Sequence, residues 1–227
     1  MISTDLLQTN AEMEAEFLEN ELRDEEIEPK QITTGRVSIE EKNIILTLHF
    51  AVRSQVEASN IMKMRYYDDI AEKAQILADS CTFEHDKGSN REVTRLGTVM
   101  IGQNICIGFS SWSECIYAWI NEGNNFEYGI GSKNGAEISH YTQMVLWRTM
   151  AIGCGANPCN GTAFRVCNYA YGQYINERKT PWKVGAPCTD CPTNCGSDGF
   201  CDCGGKVCSN RYKIPSPKCP CVSWWTI

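Results

Sequence analysis

Apolar positions along this chain change period several times, and each change marks an element. At Ser38-Ile39-Glu40-Glu41 a serine and a glutamate three residues later can cap each other's backbone at a helix start. Behind them Ile44, Ile45, Leu48, Ala51 and Val52 recur at helical spacing, which predicts an amphipathic helix carrying His49 and Arg53. His49 reads as a hydrogen-bonded packing residue. Residues 60–66 form a connector, and a second helix is predicted from Asp68 to Cys81 on the stripe Ile70, Ala74, Leu77, Cys81. The polar run 86–99 reads as a long surface loop, and Ile101 to Ile107 as a short strand. Ser113 is the expected cap of a third helix reaching about Glu122, with Ile116, Trp119 and Ile120 inward. Asn121 to Lys133, rich in Gly and Asn, reads as a loop, and Ala163 to Tyr171 as a buried central strand.

At Pro181 the periodicity stops and cysteines crowd in, eight of them within the last forty residues. A segment of that kind needs crosslinks. The expected organisation is therefore a leader (1–36), a helix-and-strand body (37–180), a cysteine-rich hinge (181–203) and a short cysteine-rich tail (204–227).

Composition sharpens this picture at two points. The 227 residues include 14 cysteines but only three histidines, and Cys188-x-x-Cys191 has no well-spaced second pair, which favours a disulfide framework over zinc fingers. An oxidising, extracellular compartment follows from that. Residues 1–30 lack the apolar core and basic start of a secretory signal. They hold ten acids against Arg23 and Lys30, so of the net charge of −7 residues 1–30 carry −8 and the remaining residues +1. A near-neutral body with no basic stripe argues against a nucleic-acid partner. No run approaches the ~20 apolar residues of a membrane-spanning helix.

Two motifs carry most of the information. Ser139-His140-Tyr141-Thr142-Gln143-Met144-Val145-Leu146-Trp147 and, about twenty residues later, Phe164-Arg165-Val166-Cys167-Asn168-Tyr169 resemble the two signatures of the CAP superfamily. That group includes the cysteine-rich secretory proteins, venom allergens and pathogenesis-related proteins. The H-x-x-x-R pattern of His49 and Arg53, and the approach from Asn60 to Tyr66, are similar to the same family. The resemblance covers about residues 37 to 203 and implies an α+β fold, an α-β-α sandwich (the CAP domain) followed by a disulfide-stapled hinge and tail.

The resemblance also implies pairings that a count of cysteines cannot give. Cys81 should bond Cys159, Cys154 should bond Cys167, and in the hinge Cys188 should bond Cys195 and Cys191 should bond Cys201. A further core bridge of the family would fall on Ile101 and Ala170, where both cysteines are replaced together. Cys106 and Cys115 are additional. Nine residues apart across the strand-to-helix turn, they are expected to pair with each other. Cys203, Cys208, Cys219 and Cys221 are left open.

For function, the resemblance implies a groove lined by two histidines and two carboxylates, here His85, Gln103, Glu122 and His140. Such a set can hold Zn2+ through His85 and His140 while the acids orient the rings. Gln103 stands where the motif has glutamate, which removes a negative charge and any base at that position. Ser139 and Thr142 lack a nucleophile-elbow context, so a hydrolase is the weakest reading. The leading expectation is a secreted, non-enzymatic monomer that binds an extracellular or membrane protein target such as an ion channel. A sterol or lipid carrier is the alternative, with Phe126 and Tyr128 as contacts. A metal-dependent hydrolase comes third. Asn160-Gly161-Thr162 is a glycosylation sequon on an expected turn.

Overall fold

The computed structural model describes residues 36–96, 99–191 and 194–202. The acidic leader, the tail 204–227 and the pairing of Cys203, Cys208, Cys219 and Cys221 lie outside the described residues.

Helix α1 spans Ile39–Ser54, and its start is the reciprocal cap: Glu41 N–H donates to Ser38 Oγ (3.1 Å) while Ser38 N–H donates to Glu41 Oε2 (2.8 Å). Strand β1 (Arg65–Tyr66) leads into α2 (Asp68–Ser80), which stops when Cys81 turns left-handed. Strand β2 is Ile101–Ile107 and α3 is Trp112–Asn121. The cap of α3 is Ser111 rather than Ser113. Its hydroxyl accepts from the Glu114 N–H (3.2 Å), and Glu114 bonds back to Ser110, so the capping pattern sits two residues earlier. The short hairpin β3 (Phe126–Glu127) and β4 (Gly131–Ser132) occupies the expected loop. Helix α4 is Ser139–Met144, followed by β5 (Ala151–Cys159), β6 (Thr162–Ala170), β7 (Asn194–Cys195) and β8 (Cys201–Asp202).

The main sheet runs β1-β5-β6-β2, parallel only at β1–β5. Successive β6 residues point to opposite faces. Cys167 and Tyr169 join α1 and α3 in the largest core cluster, while Phe164 and Val166 pack on α2 with Ala74 and Leu77. Helices on both faces make the α-β-α sandwich. Strand β5 escapes pattern reading because Gly153 and Gly155 interrupt it. Their absent Cβ atoms are the reason α2 can lie so close: one built on Gly153 would meet the Ala71 nitrogen at 2.2 Å, and one on Gly155 the Gln75 Cα at 2.5 Å.

Five disulfides join Cys81 to Cys159, Cys106 to Cys115, Cys154 to Cys167, Cys188 to Cys195 and Cys191 to Cys201. Ile101 and Ala170, the positions of the missing family bridge, face each other directly across β2 and β6. Both are buried, so an apolar cross-strand contact replaces the covalent one.

Two further expectations need correction. Residues 86–99 are not wholly a surface loop, because Val93, Leu96 and Val99 are buried in a second core cluster with Ile70 and Ile101. The described hinge is held by more than crosslinks. Trp182 and Phe200 join the main core, Cys201 is fully buried, and Lys63–Asp198 and Arg65–Asp202 form ion pairs. Backbone bonds stitch it to the connector: Ser59 N–H to Lys183 O (2.8 Å), Cys201 N–H to Ile61 O (2.9 Å) and Lys63 N–H to Cys201 O (2.8 Å). Irregular ladders like this leave no period in the sequence.

Candidate functional site

The site is built on β2, where neighbouring residues must point to opposite faces. Gln103 points to the α2 face. There the chain leaves α2 through Cys81 (φ 52°) and Phe83 (φ 56°), with Phe83 tilted on Phe164 and Cys81 bonded to Cys159. This tethered exit delivers His85 to Gln103, with Nδ1 2.8 Å from Oε1. The Gln103 amide also donates to Asp86 Oδ1 (3.1 Å) and Asn168 Oδ1 (2.9 Å), and Asp86 is ion-paired to Arg91. A carboxylate paired to a guanidinium accepts, so the NH2 group of Gln103 faces Asp86 and its carbonyl faces His85. A carbonyl only accepts. His85 Nδ1 must therefore carry the proton, and Nε2 presents its lone pair outward.

Asn104 points to the other face and donates to the His140 carbonyl (3.2 Å) and to the Tyr169 hydroxyl (3.3 Å). His140 opens α4 beside Glu122, which follows α3 directly. Glu122 Oε1 takes Nδ1 of His140 (2.5 Å), and its Oε2 takes the backbone N–H groups of His140 (3.0 Å) and Tyr141 (3.1 Å). The ring also stacks on Trp119, centroids 5.9 Å apart. Here too Nδ1 donates, leaving the Nε2 lone pair open. Glu137 completes the helix start, accepting from Ile138 and Ser139. Those hydrogen bonds, that from the Ser139 side chain first, hold its carboxyl below the usual glutamate range.

The third histidine follows the same rule in the core. His49 is fully buried on α1, donating from Nδ1 to Ile45 O (2.7 Å), and its Nε2 meets the Tyr169 hydroxyl (2.9 Å). Burial lowers its pKa to about 4 and raises that of Tyr169 well above the usual tyrosine value. One turn on, Arg53 donates to the carbonyls of Met144 (2.6 Å), Leu146 (2.9 Å), Met62 (2.7 Å), Thr149 (3.1 Å) and Trp147 (3.5 Å). Burial lowers the guanidinium pKa to about 9. Arg53 thus fixes the segment that follows the His140 helix.

The four predicted residues form two oriented pairs, His85–Gln103 and His140–Glu122, on opposite faces of one strand. The residues do not fit a protein-built zinc site. Among the described residues no three His, Cys, Asp or Glu side chains could hold a metal together, and both Glu122 oxygens are already bonded. Ser139 is bonded to Glu137, and the Thr142 hydroxyl lies 2.7 Å from the Gln173 side chain; neither faces a histidine in these contacts. Phe126 is tilted on Tyr141 and Trp182, and the Tyr128 hydroxyl donates to the Trp182 carbonyl (2.7 Å), so both are committed to packing. Asn160 and Gly161 are the two central residues of the β5–β6 hairpin, exposed, with φ 48° and 86°. Sequence reasoning missed Asp86, Arg91, Asn168, Trp119 and Glu137 as partners; Asn168 lies within a motif, Glu137 just before one and Asp86 next to His85, while Arg91 and Trp119 carried no local signal.

Comparison with known proteins places this geometry. The family model described as "Cysteine-rich secretory protein family", CAP, matches residues 19–169. Horse cysteine-rich secretory protein 3 is 37% identical over 167 residues, covering 69% of this chain and 66% of its own, so the chain spans about two thirds of that relative. Allurin of Xenopus tropicalis is 31% identical over 176 residues, covering 74% and 86%. The solved structure of Schistosoma mansoni venom allergen-like protein 4 superposes with a TM-score of 0.57 at 26% identity, over 65% of this chain and 96% of that one. With the family model matching residues 19–169, the chain belongs to the CAP, or cysteine-rich secretory protein, family.

Proposed function

We propose that this is a secreted, non-enzymatic binding protein that engages an extracellular or membrane protein target, such as an ion channel, through the groove beside β2. The observation that carries the reading is the way the groove's groups are used. Glu122, Gln103 and Asp86 orient two imidazoles, and neither hydroxyl of the His140 motif is bonded to a histidine: Ser139 is held by Glu137 at the helix start and Thr142 by Gln173. What remains open is a pair of oriented acceptors, which suits recognition better than turnover.

Secretion accords with the five disulfides and with the exposed sequon, and predicts a glycan at Asn160. Protein from a eukaryotic secretory host should lose mass on enzymatic deglycosylation, and Asn160→Gln should not. Target binding is tested by recording cation-channel currents with the intact protein and with His85→Ala/His140→Ala. Block by the first and not by the second supports the reading; no effect on any channel in the panel removes its main content. Tail removal belongs after Asp202, since a cut before Pro181 strips Trp182, Phe200 and Cys201 from the core.

A further inference from the structure

Strand β2 lies at the edge of the main sheet. Gly108 N–H donates to Ala163 O (2.8 Å), and with the β2–β6 register this places Gly102, Asn104 and Cys106 in the ladder. The intervening residues Ile101, Gln103, Ile105 and Ile107 turn their backbone groups away from β6. Two of these outward carbonyls are covered: Arg91 donates to Ile101 O and Trp119 Nε1 to Ile105 O, each at 3.3 Å. Between the two covers, among the described residues, the N–H and C=O of Gln103 and the N–H of Ile105 have no hydrogen-bond partner. Natural sheets usually blunt such an edge. Here a carbonyl on either side is covered and the stretch between them is left as a window.

That window sits between the two oriented histidines. His85 flanks it on the face of Gln103, and His140, stacked on Trp119, on the face of Asn104. We propose that the groove recognises its target by strand addition, an extended segment of the partner pairing with the outward edge of β2 at Gln103 and Ile105. This rests on the binding function proposed above and specifies how the binding is made. An extended segment sends successive side chains to opposite faces, so neighbouring residues meet His85 and His140 in turn. Both imidazoles present acceptor lone pairs, and the carboxylates of Glu122 and Glu137 stand beside His140, while Asp86 is paired to Arg91. The complementary partner segment carries donor side chains, lysine or the hydroxyl residues, and no acid at these two positions.

The test is amide hydrogen exchange by NMR, using acetyl-Thr-Lys-Val-Thr-Lys-Val-amide as the probe. In the free protein Gly102, Asn104 and Cys106 exchange slowly, while Gln103 and Ile105 exchange fast. Peptide at millimolar concentration slows Gln103 and Ile105 by about tenfold or more. The same peptide with its backbone N-methylated at alternate residues does not. Unchanged Gln103 and Ile105 rates, or equal effects of the N-methylated peptide, overturn strand addition. A channel complex in which these two amides stay unprotected overturns it too, while leaving the binding function intact.

Discussion

His49 and His140 are the same side chain in the same tautomer, and they do opposite work. Each donates from Nδ1 to a fixed oxygen, the Ile45 carbonyl in one case and the Glu122 carboxylate in the other. At His49 the second nitrogen meets Tyr169, and the network closes inside the core. At His140, and at His85 across the strand, it stops one bond short and faces the groove. A closed network of this kind holds a fold together, whereas an open one is a place for something else to bind. The two regions are joined through Asn104, which donates to Tyr169 on the core side and to the His140 backbone on the groove side.

The largest effect should come from the core. Arg53→Met leaves as many as five buried carbonyls without their donor, and about 3–5 kcal/mol of stability should be lost in denaturant unfolding with the disulfides intact. Arg53→Lys, with three donors in place of a fork, should fall between. If Arg53→Met unfolds like the parent, the closed network is not what holds the 144–149 segment.

Next comes acid. His49 has a folded pKa of about 4 against 6.5 in the unfolded chain. Between those values the unfolded state binds a proton that the folded state refuses. The stability is therefore fully present above pH 6.5 and is lost as pH falls through 4, by about 3 kcal/mol. In His49→Gln this part of the pH profile should flatten. A profile unchanged by the substitution assigns the acid loss elsewhere.

The groove should cost less in stability and more in binding. Glu122→Gln removes the acceptor for Nδ1 and weakens the bonds to two backbone N–H groups, a loss of about 1–2 kcal/mol readable as a small drop in Tm. Binding to the protein target proposed above should fall by more than that stability change explains. Smallest is Gln103→Glu. The family carboxylate would here face Asp86 Oδ1 and Asn168 Oδ1, so restoring it should destabilise by about 1 kcal/mol rather than repair a defect. A more stable Gln103→Glu protein would show that Gln103 is not matched to Asp86.

Much of this was legible in the residues. The Ser38–Glu41 cap, the Ile101–Ile107 strand and the two motifs are local signals, each decided within a few positions. The paired loss at Ile101 and Ala170 was also readable, and the two do oppose each other in the sheet. What stayed hidden depends on distant chain. Strand β5 is broken by glycines that make room for α2, and the hinge is fixed by irregular bonds to residues 59–63. Gln103 read as a lost carboxylate because its partners, Asp86 and Asn168, come from other elements. Only their placement shows an amide bridging an acceptor and a histidine.

The open-against-closed distinction rests on which nitrogen of each ring holds the proton. Long-range 1H–15N NMR of the three histidines at mildly alkaline pH reads this directly. The predicted result is the Nδ1–H tautomer at all three, with a hydrogen-bonded Nε2 only at His49. An Nε2–H tautomer at His85 or His140, or a solvent-exposed Nε2 at His49, would contradict the account.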